Sequence, residues 1–218
     1  MIQAAVFDMD GTILDTLEDL TDSVNAICAE FGFPIHSISD IRRFVGNGSK
    51  KLIERALPAG TPADVIKKVH DAYVPYYRAH SAIKTKPYDG IVDLLKRLKD
   101  AGVKLAVVSN KGDATVKDLC EVHFPGLFDV AVGAREGLKV KPYSDLINLA
   151  LSEMGIGEAE KNSVLYIGDS EVDYQTAVNA GLKSVNVLWG FRDRDFLRQN
   201  GVTVFANTAE ELAEFFRD

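Results

Sequence analysis

The sequence predicts an α/β protein: a mostly parallel sheet with helices on both faces, interrupted after its first strand by an all-helical insert. Three observations predict it. Short apolar runs at residues 2–7, 103–108, 128–132, 164–167 and 184–188 alternate with helical stretches, the pattern of parallel strands joined by covering helices. Residues from about 16 to 82 carry helical periodicity and no strand pattern. Each apolar run stops at a group of polar residues, and in an open α/β sheet ligands bind outside the carboxyl ends of the strands. The expected architecture is a Rossmann-like core of residues 1–15 and 83–218, with residues 16–82 as an inserted helical cap domain.

The elements follow in order. Residues 2–7 read as a buried strand. From Leu17 the period becomes helical. Leu20, Val24, Ile27 and Phe31 share one face, and Glu18, Asp19 and Asp22 stand at the start, where negative charge suits the helix dipole. Gly32 and Pro34 end that helix. A short helix is expected over 38–45, a flexible loop at Gly46-Asn47-Gly48-Ser49, and a helix over 50–57. Thr61-Pro62-Ala63-Asp64 starts a longer helix that runs towards His80. Residues 84–90 read as a linker. Beyond it come a helix over 91–100, a strand over 103–108, a helix over 114–122 and a strand over 128–132. A helix over 143–154, a strand over 164–167, a helix over 174–180 and a strand over 184–188 follow. A short strand at 202–205 and a helix over 209–216 close the chain.

Composition narrows the function classes. Of 218 residues 46 % are hydrophobic, enough for a substantial core. The formal net charge of −7 argues against nucleic acid as a partner. Cys28 and Cys120 stand apart with no CxxC, so a zinc site or disulfide framework is not expected and a reducing cytoplasm fits. No apolar stretch approaches the ~20 residues of a membrane helix. Met-Ile-Gln leads directly into the first strand, so no signal peptide is expected. Charge is uneven: residues 16–86 carry ten basic and eight acidic residues, and the remainder carries 15 and 24. A mildly basic lid over an acidic core suits a small anionic substrate, although charge on helices is commonly solvated surface.

The centre of the sequence is Val6-Phe7-Asp8-Met9-Asp10-Gly11-Thr12. If the strand stays extended, Asp8 and Asp10 lie on the same side. Two carboxylates so close repel unless a cation sits between them or one holds a proton. Asp-x-Asp-Gly is also what a solvated turn looks like, so the other strand ends decide. They supply Ser109-Asn110-Lys111-Gly112 after the second core strand, Lys139-Val140-Lys141-Pro142 after the third, and Gly168-Asp169-Ser170-Glu171-Val172-Asp173 after the fourth.

Those four segments, FDMDGT, SN, KP and GDSEVD in order, resemble the motifs of the haloacid dehalogenase superfamily over the whole chain. The helical insert looks like that family's all-helical cap. DGTILDT, VGNG…LIERAL, PYDGIVDLLKRLKDAG and SNK resemble its phosphoglycolate phosphatase group. The resemblance implies that Asp8 attacks phosphorus to form an aspartyl phosphate and that Asp10 acts as acid and then base. It implies Mg²⁺ bound by Asp8, the backbone carbonyl of Asp10 and Asp169, with Asp173 behind them, bridging to the metal through water or holding Lys141. Ser109, Asn110, the backbone amides of Gly11 and Thr12, and Lys141 would then bind the phosphoryl group. Other readings stay open: Ser109 and Asn110 are also helix-capping types, Lys141-Pro142 also suits a loop before a helix, and Asp169 and Asp173 suit a helix start. Glu171 is a further candidate for the metal shell, and Lys139 competes for the role of Lys141.

The departures are small. The family's third motif commonly reads KPxP, and here it is Lys141-Pro142-Tyr143-Ser144. The dehalogenase branch lacks the second carboxylate of the first motif, so the presence of Asp10 points to phosphate rather than carbon–halogen chemistry. Gly46, Asn47, Gly48 and Lys50 are the cap residues expected to reach the non-phosphate end of the substrate, with a plain helix–helix turn as the other reading. The expectation is a Mg²⁺-dependent phosphatase of a small phosphorylated metabolite, 2-phosphoglycolate first, acting as a monomer or weak homodimer. A sugar phosphomutase or a pyrophosphatase on the same scaffold is the nearest alternative, and a catalytically idle binding protein the remote one.

Overall fold

The structure, a computed structural model, describes residues 2–217. The chain divides into two units: residues up to Asp15 together with those from Pro87 onward, and Thr16–Lys86. The strands are β1 (Ala4–Phe7), β2 (Leu14–Asp15), β3 (Lys86–Pro87), β4 (Lys104–Gly112), β5 (Val130–Ala134), β6 (Val164–Gly168), β7 (Lys183–Val187) and β8 (Phe205–Ala206). The helices are α1 (Leu17–Glu30), α2 (Ile38–Phe44), α3 (Ser49–Ala56), α4 (Ala63–His80), α5 (Ile91–Asp100), α6 (Asp113–His123), α7 (Asp145–Glu153), α8 (Glu171–Ala180), α9 (Arg194–Gln199) and α10 (Ala209–Ala213).

In the first unit, six strands form a parallel sheet in the order β5-β4-β1-β6-β7-β8. β1 is its inner strand. Val6 stands opposite Ala106 of β4 on one side and Tyr166 of β6 on the other. All four residues of β1 are buried, which is why the run is apolar throughout rather than alternating. Side-chain alternation assigns its two faces. Ala5 and Phe7 join Leu105, Val107, Leu165 and Ile167 in a core closed by α5, α6 and α10 through Leu94, Leu119 and Leu212. Ala4 and Val6 join Ala106, Val108, Val164 and Tyr166 in a second core closed by α7 and α8 through Ile147 and Ala177. The chain builds outward from β1 to β4 and β5, then returns to β6 on the opposite side. The strand order therefore reverses around β1, the place where such sheets open a crevice at their carboxyl ends.

The second unit is helical. Leu20, Val24 and Ile27 of α1 are buried as the periodicity predicts, but Phe31 falls on the C-cap and is 37% exposed. Tyr73 and Tyr77 of α4 stack with centroids 5.6 Å apart. The sequence assigns Ile83 to Lys86 to the sheet unit, and the structure places them with the helices. The cause is the buried carboxylate of Asp19, which accepts the backbone N–H groups of Ile83, Lys84 and Thr85 at 3.1, 2.9 and 2.8 Å.

Other boundaries differ for local reasons. The short strands β2 and β3 pair with each other where a linker is expected. The second core strand runs past Val108 to Gly112, with a register shift against β5 between those residues. α8 begins at Glu171, because Ser170 caps it by accepting the Asp173 N–H. α9 is unanticipated: at six residues it is too short to show a helical period.

Candidate active site

β1 hands its register to Asp8, whose N–H donates to the Ile167 carbonyl at 2.8 Å. The chain then folds back tightly. The Met9 carbonyl accepts the N–H groups of Thr12, Ile13 and Leu14 at 3.2, 3.0 and 3.0 Å, and the Gly11 N–H donates to the Leu14 carbonyl at 2.9 Å. The amides of Gly11 and Thr12, expected to hold a phosphoryl group, are thus engaged by the loop itself. Gly11 serves in another way. Its φ of 83° suits glycine, and a Cβ there would run into the Asp169 carboxylate and the Phe191 ring. The Thr12 carbonyl accepts the Trp189 Nε1–H at 3.0 Å, and the buried Thr12 hydroxyl has no hydrogen-bond partner among the described residues.

Lys141 comes from the segment between β5 and α7 and is buried. Its Nζ lies 2.7 Å from Oδ1 of Asp8 and 2.7 Å from Oδ1 of Asp173. The lysine is held at its backbone too. The Lys141 N–H donates to Asn110 Oδ1 at 2.8 Å, and Asn110 Nδ2 donates to the Lys141 carbonyl at 3.1 Å. The Asn110 side chain, expected on a phosphoryl oxygen, is therefore engaged in orienting Lys141. Lys139 is exposed and lies over the Tyr143 ring, so it does not replace Lys141.

Asp173 is fully committed. Its Oδ1 also accepts the Tyr166 hydroxyl at 3.0 Å, while Oδ2 accepts the Ser170 hydroxyl, the Ser170 N–H and the Asp169 N–H at 2.5, 3.0 and 3.2 Å. These bonds fit the reading in which Asp173 holds Lys141. Asp169 follows β6 directly. Its Oδ2 accepts the Phe191 N–H at 2.6 Å. A Cβ on Gly190 would strike Asp169 and the Gly11 carbonyl, so glycine at 190 is what lets this turn close on the carboxylate. Glu171, a candidate for the metal shell, instead pairs with Arg192 at 3.2 Å.

The electrostatics are those of a charge cluster short of cations. Burial and the charge of Asp173 push the Asp8 carboxyl up to about 7, against the pull of Lys141. Burial, Asp173 and Asp8 push the Asp169 carboxyl well above the carboxylate range. Burial acts the same way on Asp173, but Lys141 and its other donors outweigh it and hold that carboxyl low. Burial opposes the charge on Lys141, and Asp173 and Asp8 overcome it, so the ammonium stays protonated. Oxygen atoms of Asp8, Asp169 and Asp173 lie within 4.8 Å of one another. Three buried carboxylates around one ammonium leave an excess of negative charge that a divalent cation relieves, and the donor set is hard oxygen. The residues present fit such an ion, with Asp8 and Asp169 as the carboxylates available to it.

The Asp10 side chain pairs with Lys111, Nζ to Oδ1, at 3.1 Å, and its charge adds to the push on Asp8. Ser109 Oγ accepts the Lys111 N–H at 3.2 Å, a bond that does not use its own proton. The structure thus brings Asp8, Asp10, Ser109, Asn110, Lys141, Asp169 and Asp173 to one rim of the sheet. Lys111, Gly190, Phe191 and Tyr166 also contact these residues, and the sequence alone assigns them no role. SNK contained the first of these, but nothing in the pattern says which carboxylate the lysine meets. Gly46, Asn47, Gly48 and Lys50 belong to the helical unit. There Arg55 donates to Asn47 Oδ1 at 2.9 Å, and the Ser49 hydroxyl and His70 Nε2 lie 2.9 Å apart.

A strand-end nucleophile candidate, a lysine from the third segment and a carboxylate after the fourth strand define a hydrolase of the haloacid dehalogenase type. The chain belongs to the haloacid dehalogenase-like hydrolases, whose family profile matches residues 5–187. It is a phosphatase of that family. It is 32% identical over 191 residues to the phosphoglycolate phosphatase of Caulobacter vibrioides, covering 86% of this chain and 79% of that one. It is 30% identical over 212 residues to phosphoglycolate phosphatase 1 of Pseudomonas aeruginosa, covering 95% and 77%. A crystal structure from Lactobacillus delbrueckii subsp. bulgaricus, of a protein proposed to be a phosphoglycolate phosphatase, superposes with a TM-score of 0.91. Its identity is 38%, and 98% of this chain and 97% of that one are covered. Among the described residues no helix is long and apolar enough to cross a membrane.

Proposed function

We propose that this protein hydrolyses phosphate monoesters of small metabolites through an aspartyl phosphate, with Mg²⁺ held by Asp8 and Asp169 and with 2-phosphoglycolate as the first substrate to test. The observation that carries this reading is the pair of buried contacts from Lys141 to Asp8 and Asp173, set beside Asp169. The substrate comes from the relatives, several of which are phosphoglycolate phosphatases. The metal supplies charge neutralisation for the carboxylates and the phosphoryl oxygens.

The residues of the chain do the rest. An oxygen of Asp8 attacks phosphorus while the ester P–O bond breaks, and Asp10 gives its proton to the departing oxygen, which leaves as an alcohol. A water then attacks the phosphorus of the acyl phosphate and its proton returns to Asp10. The Asp8–phosphorus bond breaks, releasing phosphate and restoring both carboxyl groups. Lys141 holds a positive charge on Asp8 through both half-reactions, and the Ser109 hydroxyl donates to a phosphoryl oxygen.

The experiment is a phosphate-release panel of small phosphate esters with Mg²⁺, run with wild type and Asp8→Asn. Turnover of 2-phosphoglycolate by wild type and none by the variant is the expected result. Unchanged turnover in Asp8→Asn removes the mechanism, and isomerised sugar phosphate without free phosphate identifies a mutase instead.

A further inference from the structure

Each carboxylate of the first motif has its own buried lysine, and the two lysines come from different segments. Lys141 meets Asp8 and Asp173. Lys111, on β4, meets Asp10. We infer that Lys111 is a positioning residue: it orients the Asp10 carboxylate for proton exchange with the departing oxygen, without binding the phosphoryl group. This assignment rests on the hydrolytic mechanism proposed above.

The geometry carries it. Only 6% of the Lys111 side chain is exposed, and its Nζ lies 3.1 Å from Asp10 Oδ1. An ammonium so buried needs a partner charge, and removing one member of such a pair leaves the other uncompensated. The lysine is anchored where it stands. Its N–H donates to Ser109 Oγ, and β4 remains paired to β5 through Gly112 opposite Ala134, beyond the register shift. That shift lets the strand continue past Val108 and carry Lys111 to the rim. Asp10, by contrast, sits in the turn beyond β1, where its carboxylate has two side-chain torsions to fix. It must meet two different oxygens, those of the leaving group and of water. The ammonium on Oδ1 fixes the carboxyl group's direction, and a misplacement of about 1 Å in such a group costs on the order of a hundredfold in rate.

The test separates this role from phosphoryl binding by changing the leaving group. An alkyl ester such as 2-phosphoglycolate needs a proton on its departing oxygen, whereas 4-nitrophenolate departs without one. In the full chain with Mg²⁺, Lys111→Met is expected to lower kcat/KM on the alkyl ester by about a hundredfold. Its loss on 4-nitrophenyl phosphate is expected to stay below about tenfold, and Lys111→Arg to restore most of the difference. In an Asp10→Asn background, Lys111→Met is expected to remove less than about twofold more, because residues acting as a unit are not additive. Lys111→Gln supplies the same comparison if the methionine variant does not fold. Equal losses on both esters, or an undiminished loss in the Asp10→Asn background, overturn the assignment. Failure of the mechanism itself is distinguishable: turnover retained in Asp8→Asn removes the mechanism, whereas an inactive Asp8→Asn beside equal losses for Lys111→Met removes only the role of Lys111.

Discussion

Asn110 clasps the peptide of Lys141 with both ends of its side-chain amide, accepting from the lysine N–H at 2.8 Å and donating to its carbonyl at 3.1 Å. The two residues stand on different segments, one on β4 and one between β5 and α7. The amide therefore sets where the Lys141 ammonium enters the carboxylate cluster. Asn110→Ala leaves a buried N–H and carbonyl unpaired, which costs about 1–3 kcal/mol. The variant is expected to melt several degrees below wild type and to release phosphate on the order of tenfold more slowly. Thermal melts and initial rates measure both. Full activity in a correctly folded Asn110→Ala protein would refute the orienting role.

The carboxylate cluster makes stability depend on pH in a definite direction. The Asp8 carboxyl is held at about 7 by burial and by Asp173, against ~3.9 in an unfolded chain. The folded state therefore keeps a proton that the unfolded state loses. The resulting stabilisation is full below the unfolded value and declines as pH rises from about 4 through about 7. In EDTA, wild type is expected to lose melting temperature between about pH 4 and 7 more steeply than Asp8→Asn. Millimolar Mg²⁺ should flatten that slope, because the cation then takes the place of the proton. A wild-type slope in EDTA no steeper than that of the variant would contradict the shift.

Gly190 tests the support of Asp169. A methyl group there would strike the Asp169 side chain and the Gly11 carbonyl. Gly190→Ala is expected to weaken Mg²⁺ binding by roughly 10–100-fold, the usual cost of disturbing a group that orients a metal ligand. Titration calorimetry of the folded variant reads this without reference to turnover. Wild-type affinity would show that the carboxylate tolerates the shift.

Asp19 closes the helical unit. Its carboxylate accepts three backbone N–H groups from the other end of that unit. Asp19→Ala is expected to cost on the order of 3 kcal/mol in urea unfolding of the full chain, and Asp19→Asn less, since the amide keeps one acceptor. Equal, small losses in both variants would show that these bonds contribute little.

Strand ends were the legible part of this molecule. Asp8, Ser109, Lys141 and Asp169 follow apolar runs, and the carboxyl-end rule places them on one rim without any knowledge of side-chain direction. The partners of those residues were not legible. Asn110 reads as a phosphate ligand or a cap until the β4 register is known, and that register shifts between Val108 and Gly112 through pairing with β5. The amides of Gly11 and Thr12 read as anion donors until the turn is seen to close on Met9 and Leu14. Gly190 and Phe191 carry no local signal, because their importance lies in their approach to Asp169, which stands 21 and 22 positions before them in the chain. Asp19 looked like an ordinary acid at a helix start, and only the return of the chain at Ile83 shows what it holds.

The central place of β1 has a consequence for synthesis. Val6 pairs with Ala106 and with Tyr166, so β1 is made well before both of its neighbours and must wait for them before either of its edges is covered. Until then its apolar surface and unpaired backbone are open to the wrong neighbours. Asp169 leaves the ribosome long after Asp8. A nascent chain therefore holds no assembled site, and a chain truncated before β6 is a client for chaperones rather than a weak enzyme.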